Sequence, residues 1–92
     1  MNVLERVRRA LGLPVFPPFA ESEYSDPRNF TTPRGMLEFS IYWESKAIES
    51  YALHAYEARM LGDMRSSQLF SHILKEEEEH LEELIARLKE LA

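Results

Sequence analysis

Three polar side chains in the second half of the chain are of types that bind transition metals together. Glu44 stands alone, whereas Glu77 and His80 are three residues apart. Residues with this spacing share one face of a helix, so Glu77 and His80 can contact one ion or two neighbouring ions. Carboxylate and imidazole groups together suit iron, manganese or zinc. The expected chemistry is therefore metal binding, with redox reactions if the metal is iron.

Two long helices are predicted to position these side chains. All five prolines lie between Pro14 and Pro33, and a proline costs roughly 3 kcal/mol in a helix interior. Thr32 suits the N-cap of a helix and Pro33 its first position. Gly62 suits the position just after the end of that helix, and Asp63 suits the N-cap of the next. The pattern predicts a helical hairpin with a tight turn.

The predicted helices cover residues 33–61 and 64–91 and are antiparallel. Steps of four and three select a core-facing stripe on each. In the first helix the stripe is Leu37, Ile41, Glu44, Ile48, Tyr51, Ala55 and Ala58, and in the second it is Phe70, Ile73, Glu77, His80, Leu84, Leu88 and Leu91. Carboxylates are almost never fully buried unless they are paired or bind a metal. Reflection through the turn places Glu44 within about 6 Å of the level of Glu77 and His80, so the three should converge.

Two assignments within this group stay open. Glu76 lies four residues before His80 and replaces Glu77 as a ligand if the helix register differs, and the acidic run around it is otherwise typical of a solvated face. Tyr51 is either an ordinary core aromatic residue or a hydrogen-bond donor to a metal-bridging carboxylate, two turns from Glu44.

The spacing around Glu44 carries a family resemblance. Ala47 and Tyr51 follow it by three and seven residues, and Glu77 with His80 follows 33 positions later. This pattern resembles the first helix pair of rubrerythrins, in the ferritin-like superfamily, and it covers roughly residues 36–91. The short two-helix format is similar to encapsulated ferritins, which build a di-iron site across a subunit interface.

The resemblance implies an all-α fold: an antiparallel hairpin that dimerises into a ferritin-like four-helix bundle. One lone Glu and one Glu-x-x-His are half of the ligand set of such a bundle, and a two-fold dimer would supply the rest. The implied metal ligands are Glu44, Glu77 and His80, holding two Fe ions per dimer, with Mn or Zn as substitutes. The implied function is that of a non-haem di-iron oxidoreductase with ferroxidase activity. The implied partners are a second copy, a ring of dimers and an encapsulating shell protein.

Two other functions compete with the ferroxidase interpretation. One is a rubrerythrin-like peroxide reductase, which would need an external electron donor because the chain has no cysteine. The other is a non-catalytic helical dimerisation protein, in which buried polar residues only fix the register of the helices. Three polar residues interrupt the apolar stripe at one level, which favours the metal site, because one buried polar residue is enough to fix the register of the helices.

The chain is expected to divide near residue 35. Residues 1–35 are predicted to form a short amphipathic helix over 1–12 followed by an extended arm rich in proline and aromatic residues. The arm is expected to pack on the helical body, either of its own chain or of a neighbouring subunit. Residues 36–92 are predicted to form the hairpin.

The composition excludes several classes of protein. The absence of cysteine excludes disulfides, thiolate zinc sites and iron–sulfur clusters. The net charge of −5 argues against nucleic acid as a partner. No run of 18 apolar residues is present to span a membrane, and no signal peptide is evident. A cytoplasmic location is therefore expected, and the resemblance adds the interior of a protein nanocompartment.

Overall fold

Two long helices packed side by side make up most of the protein. The computed structural model describes residues 21–91, so the predicted helix over 1–12 and the first part of the arm lie outside the described residues. Helix α1 covers Pro33–Met60 and helix α2 covers Met64–Glu90. The two helices pack against each other along the hairpin. The all-helical prediction is confirmed, and the helix boundaries agree with it to within one residue at each end.

Local capping explains where the helices begin and end. The Thr32 hydroxyl accepts a hydrogen bond from the Gly35 amide at 3.0 Å, and Pro33 occupies the first helical position. Gly62 has φ of 79°, a left-handed conformation in which a residue with a side chain is strained. Asp63 accepts a hydrogen bond from the Ser66 amide. The Ser66 side chain and then this amide hold the pKa of the Asp63 carboxyl below its usual range. The turn is therefore encoded by residues 62 and 63.

The described part of the segment before α1 forms short 3-10 helices and is not the extended arm that the sequence predicted. Two 3-10 helices cover Glu21–Ser25 and Pro27–Asn29. Asp26 caps the second one by accepting from the Arg28 amide at 2.9 Å. The Trp43 indole N–H donates to the Tyr24 carbonyl at 2.7 Å and so ties this segment to α1.

The hydrophobic core lies at the end of the hairpin away from the turn. Its buried members are Tyr24, Phe30, Ile41, Tyr42, Ile85 and Leu88. The aromatic rings of this region form a closed cycle with centroid distances of 4.5 to 6.3 Å, and its members are Tyr24, Tyr42, Trp43, Phe39 and Phe30. The segment before α1 therefore supplies two of the six core residues.

The predicted core-facing stripe is only partly covered. Ile41, Ala58 and Leu88 are buried as expected, whereas Glu44 and Glu77 are half-buried and the His80 side chain is 54% exposed. Two helices cover each other on one side only, so a stripe shared by both remains open along its outer edge. Neither of the two described helices has a stretch long and apolar enough to cross a membrane.

Candidate metal centre

Glu44, Glu77 and His80 come together near the middle of the hairpin. Glu44 is on α1, and Glu77 and His80 are one turn apart on α2. Each contributes one ligand atom, and the three atoms lie within 4.8 Å of one another. No other group of this kind occurs among residues 21–91. The predicted convergence is therefore present in the fold, while the role of these side chains as metal ligands stays a prediction.

The register of α2 distinguishes Glu77 from Glu76. The Glu77 side chain is 21% exposed, and its Oε1 lies 3.8 Å from His80 Nδ1, too far for a hydrogen bond. Glu76 is 54% exposed and pairs instead with His72, with 2.7 Å between its Oε1 and His72 Nε2. Glu77 thus faces the group, and Glu76 belongs to the outer surface.

The electrostatics of the group centre on Glu44. Burial raises the pKa of the Glu44 carboxyl to about 7, and the Glu77 carboxyl adds to the shift through a hydrogen bond and through charge repulsion. His80 opposes the shift. Two carboxyl groups at this separation do not readily carry two full charges unless a proton or a cation lies between them.

One atom of Glu44 has an unsatisfied bonding capacity that a cation could fill. Its Oε2 is buried and makes no hydrogen bond. An unsatisfied buried oxygen is costly, and a bound cation would satisfy it. Together with a second carboxylate and an imidazole, the donor set matches what iron, manganese and zinc accept. The residues present therefore fit a transition metal of the kind that the sequence suggested.

The group opens onto a groove between the two helices. The groove has a volume of about 390 Å³. It is lined by Leu37, Ser40, Glu44, His80, Glu83, Leu84 and Arg87. Two of the three candidate ligands therefore face open space rather than the interior of the hairpin, and an ion held there would have free coordination positions on the groove side.

Tyr51 lies outside the three-residue group. Its ring is half-buried and packs near the Phe70 ring at a centroid distance of 6.3 Å. Within one hairpin it therefore behaves as a packing residue, and its role as a hydrogen-bond donor to a metal-bridging carboxylate stays a prediction.

Glu38 is a carboxyl group that sequence reasoning missed. It is fully buried at the end of α1 that carries the core. Buried positions of α1 recur at Glu38, Ile41, Tyr42 and Ser45, a second stripe with helical spacing beside the predicted one. That spacing is visible in the sequence, but nothing in the sequence indicates that Tyr24 and Phe30 pack in one cluster with Ile41 and Tyr42.

Comparisons with known proteins place the chain in a family. No curated protein and no solved structure matches the sequence. A family model does match, that of the ferritin-like domain, and the match extends over residues 1–92, the whole chain. The chain therefore belongs to the ferritin-like domain family.

Proposed function

We propose that the protein is a ferroxidase whose metal site is completed by dimerisation. The observation that carries this proposal is the convergence of Glu44, Glu77 and His80 within 4.8 Å. In a di-iron four-helix bundle, two helices each contribute a Glu and the other two each contribute a Glu-x-x-His motif. One hairpin holds half of that set, and a two-fold copy supplies the other half.

The open edge of the hairpin supports a second copy as the missing half. The half-buried residues of the predicted stripe flank the site on both helices, among them Leu37, Ile48, Ile73 and Leu84. A second hairpin packed on this edge would remove their apolar surface from water, at roughly 25 cal/mol per Å². A two-fold interface joins the same patch on both chains, so the two metal groups would meet at the axis.

Each side chain has a distinct task in the proposed site. The imidazole of His80 would hold one ion, and Glu77 and Glu44 would bind as terminal or bridging carboxylates. Iron supplies the redox chemistry when bound. Two Fe(II) substrates lose one electron each, and O2 takes up the two electrons with two protons and leaves as hydrogen peroxide. Hydrogen peroxide as the oxidant would instead accept two electrons and two protons and leave as two waters.

The metal-binding half of the proposal is tested by an anaerobic titration. Co(II) or Fe(II) is added to the full-length apo-protein, and stoichiometry and mass are read by calorimetry and native mass spectrometry. We expect saturation at about one ion per chain in a dimer, as the ligand count of the bundle requires. Admission of air to the Fe(II) sample should then give ferric absorbance at the same stoichiometry.

Matched variants separate the site from the acidic surface of α2. Glu77→Gln and Glu76→Gln remove the same charge from adjacent positions. His80→Ala and His72→Ala each remove one imidazole from α2. We expect loss of binding and oxidation in the Glu77 and His80 variants only. A dimer that binds no metal, or equal effects within each pair, would instead identify a non-catalytic dimerisation protein.

A further inference from the structure

Ser40 places a hydroxyl group beside Glu44 on the groove between the two helices. It precedes Glu44 by four residues on α1, and both side chains line the groove together with His80. Residues four apart share one face of a helix, with about 5–6 Å between their Cβ atoms. Rotation of the two side chains can therefore bring the Ser40 hydroxyl and the Glu44 carboxylate to hydrogen-bond distance.

The Ser40 hydroxyl differs from those of the two buried serines of the hairpin. Ser45 Oγ donates to the Ile41 carbonyl at 2.7 Å, and Ser67 Oγ donates to the Ala55 carbonyl at 2.9 Å. The Ser40 side chain is half-buried, and within residues 21–91 it makes no hydrogen bond. Its hydroxyl is therefore available as a donor to a neighbouring group.

Glu44 has an oxygen atom that needs such a donor. Its Oε2 is buried and makes no hydrogen bond. A carboxylate that binds an ion through one oxygen leaves the other to be satisfied by a hydrogen bond. The side chains on the groove that can donate are Ser40, His80 and Arg87. His80 is itself a candidate ligand, and Arg87 Nη1 lies 2.7 Å from Glu90 Oε2. Ser40 is the donor that remains.

We propose that Ser40 is a positioning residue, whose hydroxyl donates a hydrogen bond to the Glu44 carboxylate when this carboxylate binds a metal. The hydrogen bond would hold the carboxylate in the orientation that ligation requires, and Ser40 would not touch the metal itself. This inference rests on the proposed function, since it presupposes that Glu44 is a ligand. A second copy packed on the groove would exclude the water that otherwise competes with the hydroxyl, and the hydrogen bond would become stronger.

The test compares three serine variants of the full-length protein with wild type. Ser40→Ala removes the hydroxyl beside Glu44, and Ser40→Thr keeps one. Ser45→Ala is the matched control, because it removes from the same helix a hydroxyl that donates to the Ile41 carbonyl. Calorimetry measures the affinity and stoichiometry of Co(II) binding, and the visible absorption of bound Co(II) reports its coordination geometry. Thermal unfolding of the apo-proteins measures stability.

We expect Ser40→Ala to bind Co(II) about tenfold more weakly, as for the loss of other hydrogen-bond partners of metal ligands. Its Co(II) absorption should change, while its stoichiometry stays at the wild-type value. Its unfolding temperature should not fall, because alanine favours a helix more than serine does. Ser40→Thr and Ser45→Ala should keep the wild-type spectrum and an affinity within about threefold of wild type.

Wild-type affinity and absorption in Ser40→Ala would overturn the inference, and so would an equal loss of affinity in Ser45→Ala. A lowered stoichiometry in Ser40→Ala would overturn it as well, since Ser40 would then be a ligand. A lower unfolding temperature in that variant would show a structural role instead. Failure of the wild-type protein to bind Co(II) would contradict the proposed function.

Discussion

The carboxyl groups of Glu44 and Glu77 approach each other across two helices, and the imidazole of His80 is the group that offsets their repulsion. Burial first, and then the neighbouring Glu77 carboxyl, raise the pKa of the Glu44 carboxyl to about 7. Without a metal, the folded protein favours the protonated form of Glu44 below about pH 7. With a metal, the same pair would provide two negative ligands. A proton and a metal cation would therefore compete for the Glu44 carboxylate.

The stability of the apo-protein should fall as the pH rises from about 5 to about 7.5. The pKa of Glu44 is higher in the folded than in the unfolded state, so its contribution is present below the unfolded pKa and is lost as the pH passes the folded value. Because Glu44 is only half-buried, solvent screens its interactions. We therefore expect the free energy of unfolding to fall by about 1–2 kcal/mol over this range. Urea unfolding of metal-free protein across this range measures it.

Glu44→Gln is the control for that pH dependence. A neutral amide has no proton to lose, so the part of the slope that belongs to Glu44 disappears, while all other titrating groups still contribute equally to both proteins. The variant should be more stable than wild type at pH 8 and close to it at pH 5. Parallel stability curves for the two proteins would show that Glu44 does not titrate in this window.

Metal binding should release a proton and strengthen with pH. A carboxylate must be deprotonated before it ligates a metal, and Glu44 is half protonated near pH 7. We expect Co(II) affinity to rise several-fold between pH 6 and pH 8. Calorimetry in buffers with different ionisation enthalpies counts the protons released. Affinity that stays constant over this range would place Glu44 outside the ligand set.

Tyr51→Phe tests the predicted role of the Tyr51 hydroxyl. If the hydroxyl donates to a bridging carboxylate in the dimer, its removal should slow Fe(II) oxidation by roughly tenfold and leave the number of bound ions unchanged. Ring packing against Phe70 is kept in the variant, so stability should change by less than about 1 kcal/mol. Tyr56→Phe, on an exposed ring, is the matched control. Equal oxidation rates in the two variants would leave Tyr51 as a packing residue.

Capping residues made the helix boundaries readable from the sequence. Thr32, Pro33, Gly62 and Asp63 act within a few residues of themselves, so local rules suffice to place them. The convergence of Glu44 with residues 77 and 80 was also readable, because a hairpin of straight helices brings equal distances from the turn to the same level. Glu76 and Glu77 could not be separated in this way, because the choice depends on the rotation of α2 about its axis.

The packing of Tyr24 and Phe30 on α1 could not be placed from the sequence. Their contacts with Tyr42 and its neighbours join residues far apart in the chain, and no periodicity links the two segments. Aromatic content predicted that the arm packs, but not where, and the 3-10 turns depend on local capping by Asp26. The dimer, the ring of dimers and the shell partner remain predictions for a similar reason, since each depends on surfaces of more than one chain.

Gly62→Ala should destabilise the protein by about 1 kcal/mol. A methyl group at this position meets no atom within 4 Å, so its entire cost comes from the left-handed φ of 79°. Asn tolerates this conformation better than Ala, so Gly62→Asn should lose less. Thermal unfolding of the three proteins measures the order. An alanine variant as stable as wild type would show that the turn rearranges.

Trp43→Phe should loosen the segment before α1 without unfolding the hairpin. Phenylalanine keeps an aromatic ring beside Tyr42 but removes the indole N–H that donates to the Tyr24 carbonyl at 2.7 Å. One hydrogen bond of this kind contributes about 1 kcal/mol, so local opening of the segment should become about fivefold more frequent. Trypsin cleavage after the exposed Arg28 reports that opening. Cleavage at the wild-type rate, with Tyr56→Phe as the reference, would mean that ring packing alone holds the segment in place.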